Sequence, residues 1–322
     1  MRPWPDPSPE PDGPRAAFLT FTLAVGESVT LQPAEPSLAV APHSLDSTTE
    51  GVGSMRFRIL FGTAALLTSL GAAAATGVVG AVSATPGTAY VCRGGNFAAG
   101  HFSHIGSGNY SSITVKGVCN ISPYAVINVS GGIHVAAGAV LDAQSAPSTI
   151  TVAHNVTAAS GSLLGMGCQP STTIGTQAGV PCAVHPKGHT TITVGGSIIA
   201  KDANTILLRK LTIGGSIRLV GGGGDIPWSI KGNAVGGNVT IKWITADWLG
   251  LQFNTISGNA TLKHITVTDP GDPGRTVAVV ENTVGQNLNC RALRPGVSPG
   301  FIPGEVNHVG GDATGQCAAI SE

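Results

Sequence analysis

Charge is scarce in this chain. Only 11% of its 322 residues are charged, and 17 Lys plus Arg balance 17 Asp plus Glu. An average soluble domain is about 25% charged. With no net charge there is no electrostatic case for a nucleic acid or an acidic membrane surface as partner. Aromatic residues are also few, at 5%. Several catalytic and metal-binding signatures are missing as well. There is no CxxC pair for zinc, no GxSxG elbow, and no Gly-Lys-Ser/Thr after the glycine run Gly221–Gly224 to make a phosphate loop. No Asp-Asp doublet occurs, and the Asn-Thr-Asp, Gly-His-Gly and Arg-Ile-Lys signatures of polygalacturonases are absent. No cofactor or metal is expected. His101-Phe-Ser-His104 and His185-Pro-Lys-Gly-His189 have metal-compatible spacing, but both sit in loop-like sequence with no acid or cysteine beside them.

What the chain does have is glycine, 46 residues, about twice the usual share, together with Ser, Thr, Asn, Val and Ile. That mixture suits many short strands joined by tight turns. It is ordered into a recurring phrase, with copies at Val129–Val135, Val152–Ala158, Val194–Ala200, Ile213–Leu219, Val235–Ile241, Ile256–Leu262 and Val284–Cys290. A representative copy reads Val235-Gly-Gly-Asn-Val-Thr-Ile241. Successive starts lie 23, 42, 19, 22, 21 and 28 residues apart. The 42 reads as two periods, and the 28 as one period plus an insertion. A period near 21 with alternating apolar residues predicts a solenoid whose units bury their apolar rows only by stacking. The Gly-Gly and Gly-Asn steps read as corners with positive φ. The predicted fold is all-β, a right-handed parallel β-helix of roughly eight to ten coils. An antiparallel sandwich also uses many short strands but does not require a repeated phrase.

The ends and compartment follow from other signals. Residues 1–54 are rich in Pro and acid and read as disordered, an extension upstream of a start at Met55. Residues 55–84 have the order of a signal peptide: Met55-Arg-Phe-Arg58, an uncharged run Ile59–Val82, and Val82-Ser-Ala84 as cleavage site. Retained instead of cleaved, the 59–82 run would anchor the chain in a membrane. All six cysteines lie beyond it, as expected of an exported disulfide-bonded chain. Neighbour pairing gives Cys92–Cys119, Cys168–Cys182 and Cys290–Cys317, with residues 85–126 as an N-terminal cap and 127–322 as the solenoid with its C-terminal cap.

Glu281-Asn-Thr-Val-Gly-Gln-Asn-Leu-Asn-Cys290, a Pro/Gly-rich run, and Asn307-His-Val-Gly-Gly-Asp-Ala-Thr-Gly-Gln-Cys317 resemble the ending of a group of secreted actinobacterial proteins. In these, NT(I/V)GGNLxC precedes GQC. Gln286 replaces the usual Gly, and the 291–305 connection is longer. The resemblance covers roughly residues 190–318 and implies a secreted β-solenoid and little more.

Two sets of side chains are candidates for function. Asp225, Asp247 and Asp269 are 22 residues apart, one period each, so stacking could align them as the carboxylates of a polysaccharide hydrolase or lyase. As turn aspartates they need no activity. Trp228, Trp243 and Trp248 could form a platform for sugar rings. The expectation is a secreted or cell-surface structural or binding protein whose partner is a cell-wall or environmental glycan; the alternative is a carbohydrate-active β-helix enzyme.

Overall fold

The computed structural model describes residues 87–170, 180–269, 276–300, 302 and 304–322. The predicted extension (1–54) and leader (55–84) lie outside the described residues. Among the described residues no helix is long and apolar enough to cross a membrane, and the helical structure is a single 3-10 segment, Gln316–Ile320.

The chain winds as a parallel β-solenoid of about ten turns. Each full coil has three short strands on three faces. One coil runs Ala234–Val235, Val239–Ala246 and Leu249–Gln252, and the next Thr255–Ile256, Ala260–Val267 and Val277–Val280. Equivalent strands pair in parallel from coil to coil, which rules out the antiparallel sandwich. The first and second faces share one 18-stranded sheet, and the third is a 9-stranded sheet. At about 4.8 Å per coil the stack is roughly 45 Å long.

Alternation decides which side chains go inside. On the second face Val239, Ile241, Ile244 and Ala246 are buried, while Thr240, Lys242 and Thr245 point outward between them. In-register pairing turns such positions into columns. Leu141, Leu164, Ile206, Trp228, Leu249 and Val277 form one apolar column beneath the third face.

Two sequence expectations are corrected. The spacing of 42 is one coil, not two: Thr191–Val194 pairs directly with Thr149–Val152. The surplus residues leave and re-enter the stack at a closed mouth. There the Thr190 N–H donates to the Cys168 carbonyl (3.0 Å), the Cys168 N–H donates to Thr190 Oγ1 (3.0 Å), and the Gln169 amide donates to the Thr190 carbonyl (2.9 Å). A loop that starts and ends at one point adds no rung. The 28 is, as expected, one coil with an insertion, because Thr255–Ile256 pairs with Thr283–Val284.

The second correction concerns the Gly-Gly corners. None of Gly195, Gly214, Gly236 or Gly285 has positive φ. Glycine is used there because coils approach closely: a Cβ on Gly214 would lie 2.5 Å from the Gly195 carbonyl oxygen, and one on Gly236 2.5 Å from that of Gly214. The column is not absolute, since Ala153 and Ser257 also occupy it. Beside it runs a polar ladder in which each backbone N–H donates to a side chain of the adjoining coil: Ser197 to Asn155, Ser216 to Ser197, Asn238 to Ser216, Asn259 to Asn238, Asn287 to Asn259 and Asp312 to Asn287.

The three disulfides are Cys92–Cys119, Cys168–Cys182 and Cys290–Cys317, and no cysteine is free. The first and last staple the two ends of the stack, and the middle one closes the inserted loop. Full pairing fits an oxidising compartment. Residues 88–121, in the region expected to cap the stack, are themselves its first two rungs: Thr88–Cys92 pairs with the strand Gly108–Val115, and Ser103–Ile105 with Val118–Ile121.

Candidate functional site

The outer side of the second face is built by register. Val220, Lys242, Lys263 and Arg291 are successive partners in one column, and Lys201 pairs with Val220 at its foot. Thr240, Thr261 and Asn289 form a parallel column on one side, and Thr245, Thr266 and Arg294 lie on the other. Between them the strands kink at a residue with positive φ in coil after coil: Asp202, Gly221, Trp243, His264 and Ala292. Glycine suits this conformation, and a bulky side chain there is strained by about 1–2 kcal/mol. Trp243 (φ 56°) and His264 (φ 53°) nevertheless occupy it. Their rings stack nearly parallel, 4° apart in plane, with centroids 6.0 Å apart. Trp243 is 57% exposed. The result is an exposed aromatic ledge beside a cation column, with no ion-pair partner for Lys242, Lys263 or Arg291 among the described residues.

The other two predicted tryptophans are not part of this ledge. Trp228 is fully buried, correcting its assignment to an exposed platform. It falls on an inward position of its strand and its indole N–H donates to the Asn204 carbonyl at 2.8 Å. Trp248 is half-buried and lies over Gly250, where an added Cβ would come within 2.2 Å of the indole.

The predicted acid row is brought together at the turn from the second to the third face. The Asp247 N–H donates to the Gly224 carbonyl and the Asp269 N–H to the Asp247 carbonyl, both at 3.0 Å. Partial burial, and then the charges of Asp269 and Asp225, push the Asp247 carboxyl above the usual carboxylate range. The folded state therefore holds this proton more tightly than the unfolded chain does, so ionisation works against folding above the ordinary carboxylate pKa. Asp247→Asn is expected to melt higher than wild type at pH 7, with the difference closing as the pH falls through the carboxylate range. Melting curves across that range check it; equal midpoints at pH 7 would contradict the coupling. Among the described residues no three His, Cys, Asp or Glu side chains are placed to hold a metal ion.

On the outer side of the third face, burial lowers the Arg209 guanidinium to about 10, an effect opposed by Asp142. One of its nitrogens donates to Gln144 Oε1 at 2.7 Å. A cavity of ≈ 290 Å³ borders the inserted loop, lined by Tyr124, Pro147, Thr149, Gly188, His189 and others. It offers hydroxyls and an imidazole but no carboxylate.

No family model, curated protein or solved structure matches the chain.

Sequence reasoning missed two arrays. One is the cation column with its ledge, whose signal was a basic residue before the kink at Lys242-Trp243, Lys263-His264 and Arg291-Ala292. The other is a buried asparagine ladder: Asn233, Asn254, Asn282 and Asn307 are each at most 1% exposed and hydrogen-bonded in sequence through their side-chain amides at 2.8–2.9 Å.

Proposed function

We propose that the protein is a secreted or cell-surface, non-catalytic β-solenoid that binds an extended glycan on its second face. The observation that carries this reading is the Trp243–His264 ledge. An indole left 57% exposed at a backbone conformation that disfavours it costs stability and contributes little packing. Such strain is typical of a binding position, and a flat apolar ring presented to solvent suits the C–H face of a pyranose. The three disulfides, the leader-like 55–84 segment and the C-terminal resemblance to secreted actinobacterial proteins support an extracellular setting. The test is Trp243→Gly, which removes the ring and relieves the kink together. Glycan affinity, screened on an array and measured by calorimetry, is expected to fall about tenfold, a loss of about 1.4 kcal/mol. The melting temperature is expected to stay level or rise. Unchanged affinity would remove the ledge from the site.

A second reading rests on the acid row. A carboxyl whose pKa is raised by partial burial and by two neighbouring acids has one attribute of a general acid, as glycoside hydrolysis requires. Polysaccharide cleavage by the wild type that disappears in Asp247→Asn would replace the binding reading with an enzymatic one.

A further inference from the structure

We infer that the glycan bound by the second face is an acidic polymer, lying along the stack axis with its anionic groups over Lys242, Lys263 and Arg291. This rests on the reading of the Trp243–His264 ledge as the glycan platform and names the chemical class of its ligand.

Three observations point the same way. First, Lys242, Lys263 and Arg291 are direct in-register partners on consecutive coils. Like charges placed directly opposite in a sheet destabilise it, and none of the three has an ion-pair partner among the described residues. A chain in which only 11% of residues are charged has thus concentrated cations where they repel one another and where a bound anion would relieve them. Second, the spacing suits a polymer. Consecutive coils are about 4.8 Å apart, close to the length of one pyranose in an extended chain, so each successive sugar can present its anionic group to the next cation. Third, the flanks are neutral hydroxyl and amide groups rather than further aromatics: Thr240, Thr261 and Asn289 on one side, and Thr245 and Thr266 on the other. A strand of nucleic acid calls for a succession of stacking rings, whereas one ledge bordered by hydroxyls suits a sugar chain. Arg294, the partner of Thr266, extends the positive surface past the ledge. Asp247 and Asp269, at the next turn, border it with negative charge and confine a polyanion to the second face.

The shared chemistry is a repeating anion on a glycan or polyol backbone, carried either by uronate carboxylates or by phosphodiesters. The disulfide-intact protein is titrated with polygalacturonate, poly(glycerol phosphate), neutral dextran and poly-deoxythymidylate, at about 20 mM and about 300 mM salt. At least one of the first two is expected to bind more tightly than dextran and to weaken at high salt; which one it is identifies the anion. The variant Lys242→Gln/Lys263→Gln/Arg291→Gln is expected to lose this binding at least about tenfold, with an unchanged or higher melting temperature because like-charge repulsion is relieved. Equal binding of dextran, or a triple variant that binds as wild type, overturns the acidic-ligand inference. The Trp243→Gly result still decides the platform separately. Tighter binding of poly-deoxythymidylate than of either acidic polymer overturns it in favour of nucleic acid, and failure of both acidic polymers to bind at low salt overturns it outright.

Discussion

Replacing Asn254 by alanine is expected to destabilise the solenoid more than any surface change, on the order of 4 kcal/mol. The side chain of Asn254 is 1% exposed and joins three coils. Its Oδ1 accepts from the backbone N–H and the side-chain amide of Asn233 at 3.0 and 2.9 Å. Its Nδ2 donates to the Ile230 carbonyl and to Asn282 Oδ1, both at 2.9 Å. Alanine would leave the buried Asn233 backbone N–H without its acceptor, cut the Asn233 amide back to its single bond to the Leu208 carbonyl (3.0 Å), and remove the amide that donates to the Ile230 carbonyl. Each buried group so deprived costs about 1–3 kcal/mol. In a stack where each coil is stabilised by its neighbours, the break separates the C-terminal coils from the rest. Urea denaturation should show a midpoint well below wild type, or a second, earlier transition. Asn259→Ala is the control: Asn259 belongs to the exposed ladder, where water replaces the lost partner, and the shift is expected to stay below about 1 kcal/mol. Equal effects at the two positions would show that burial of the inner ladder is not what matters.

Gly223→Ala is expected to cost about 3 kcal/mol. Two requirements coincide there. Its φ is 122°, a conformation that L-residues rarely adopt. An added Cβ would also sit 1.7 Å from the carbonyl oxygen of Thr245 on the next coil. Neither can be relieved without parting two coils beside Asp247. Gly106→Ala is the comparison, since nothing lies within 4 Å of its added Cβ, and it is expected within about 0.5 kcal/mol of wild type. If both variants melt together, the contact with Thr245 is not a constraint. The four-glycine run that resembles a phosphate loop in the sequence thus has a structural use: it carries the chain around a tight turn.

How far the sequence could be read depended on whether a signal survives insertion. The phrase Val-Gly-Gly-Asn-Val-Thr-Ile announced coils because its Val and Ile positions are inward columns, and alternation is a local property. The spacing of 22 between Asp225, Asp247 and Asp269 was legible because it matches one period at each step. Residue arithmetic failed between Val152 and Val194, where a closed loop mimics a second coil. It also hid the inner asparagines, whose separations of 21, 28 and 25 look irregular until the insertions are removed. The cation column was hidden for a similar reason: Lys263 and Arg291 are neighbours only once the intervening insertion is folded away. Trp228 was misplaced because a single indole carries no sign of which side of its strand it faces. The corner glycines were recognised as corners, but the physical cause is contact between coils, not backbone handedness.

The hydrogen-bonded mouth between Cys168 and Thr190 makes the length of the molecule independent of the length of its chain. The rod is measured in strands, and whatever hangs from that doorway is not counted. A segment of foreign sequence could be exchanged there, between the same two anchoring residues, and the columns on the far faces would keep their order. The scaffold can therefore vary what it displays at one edge while the spacing of its charged column stays fixed, because the two are set by different parts of the polymer.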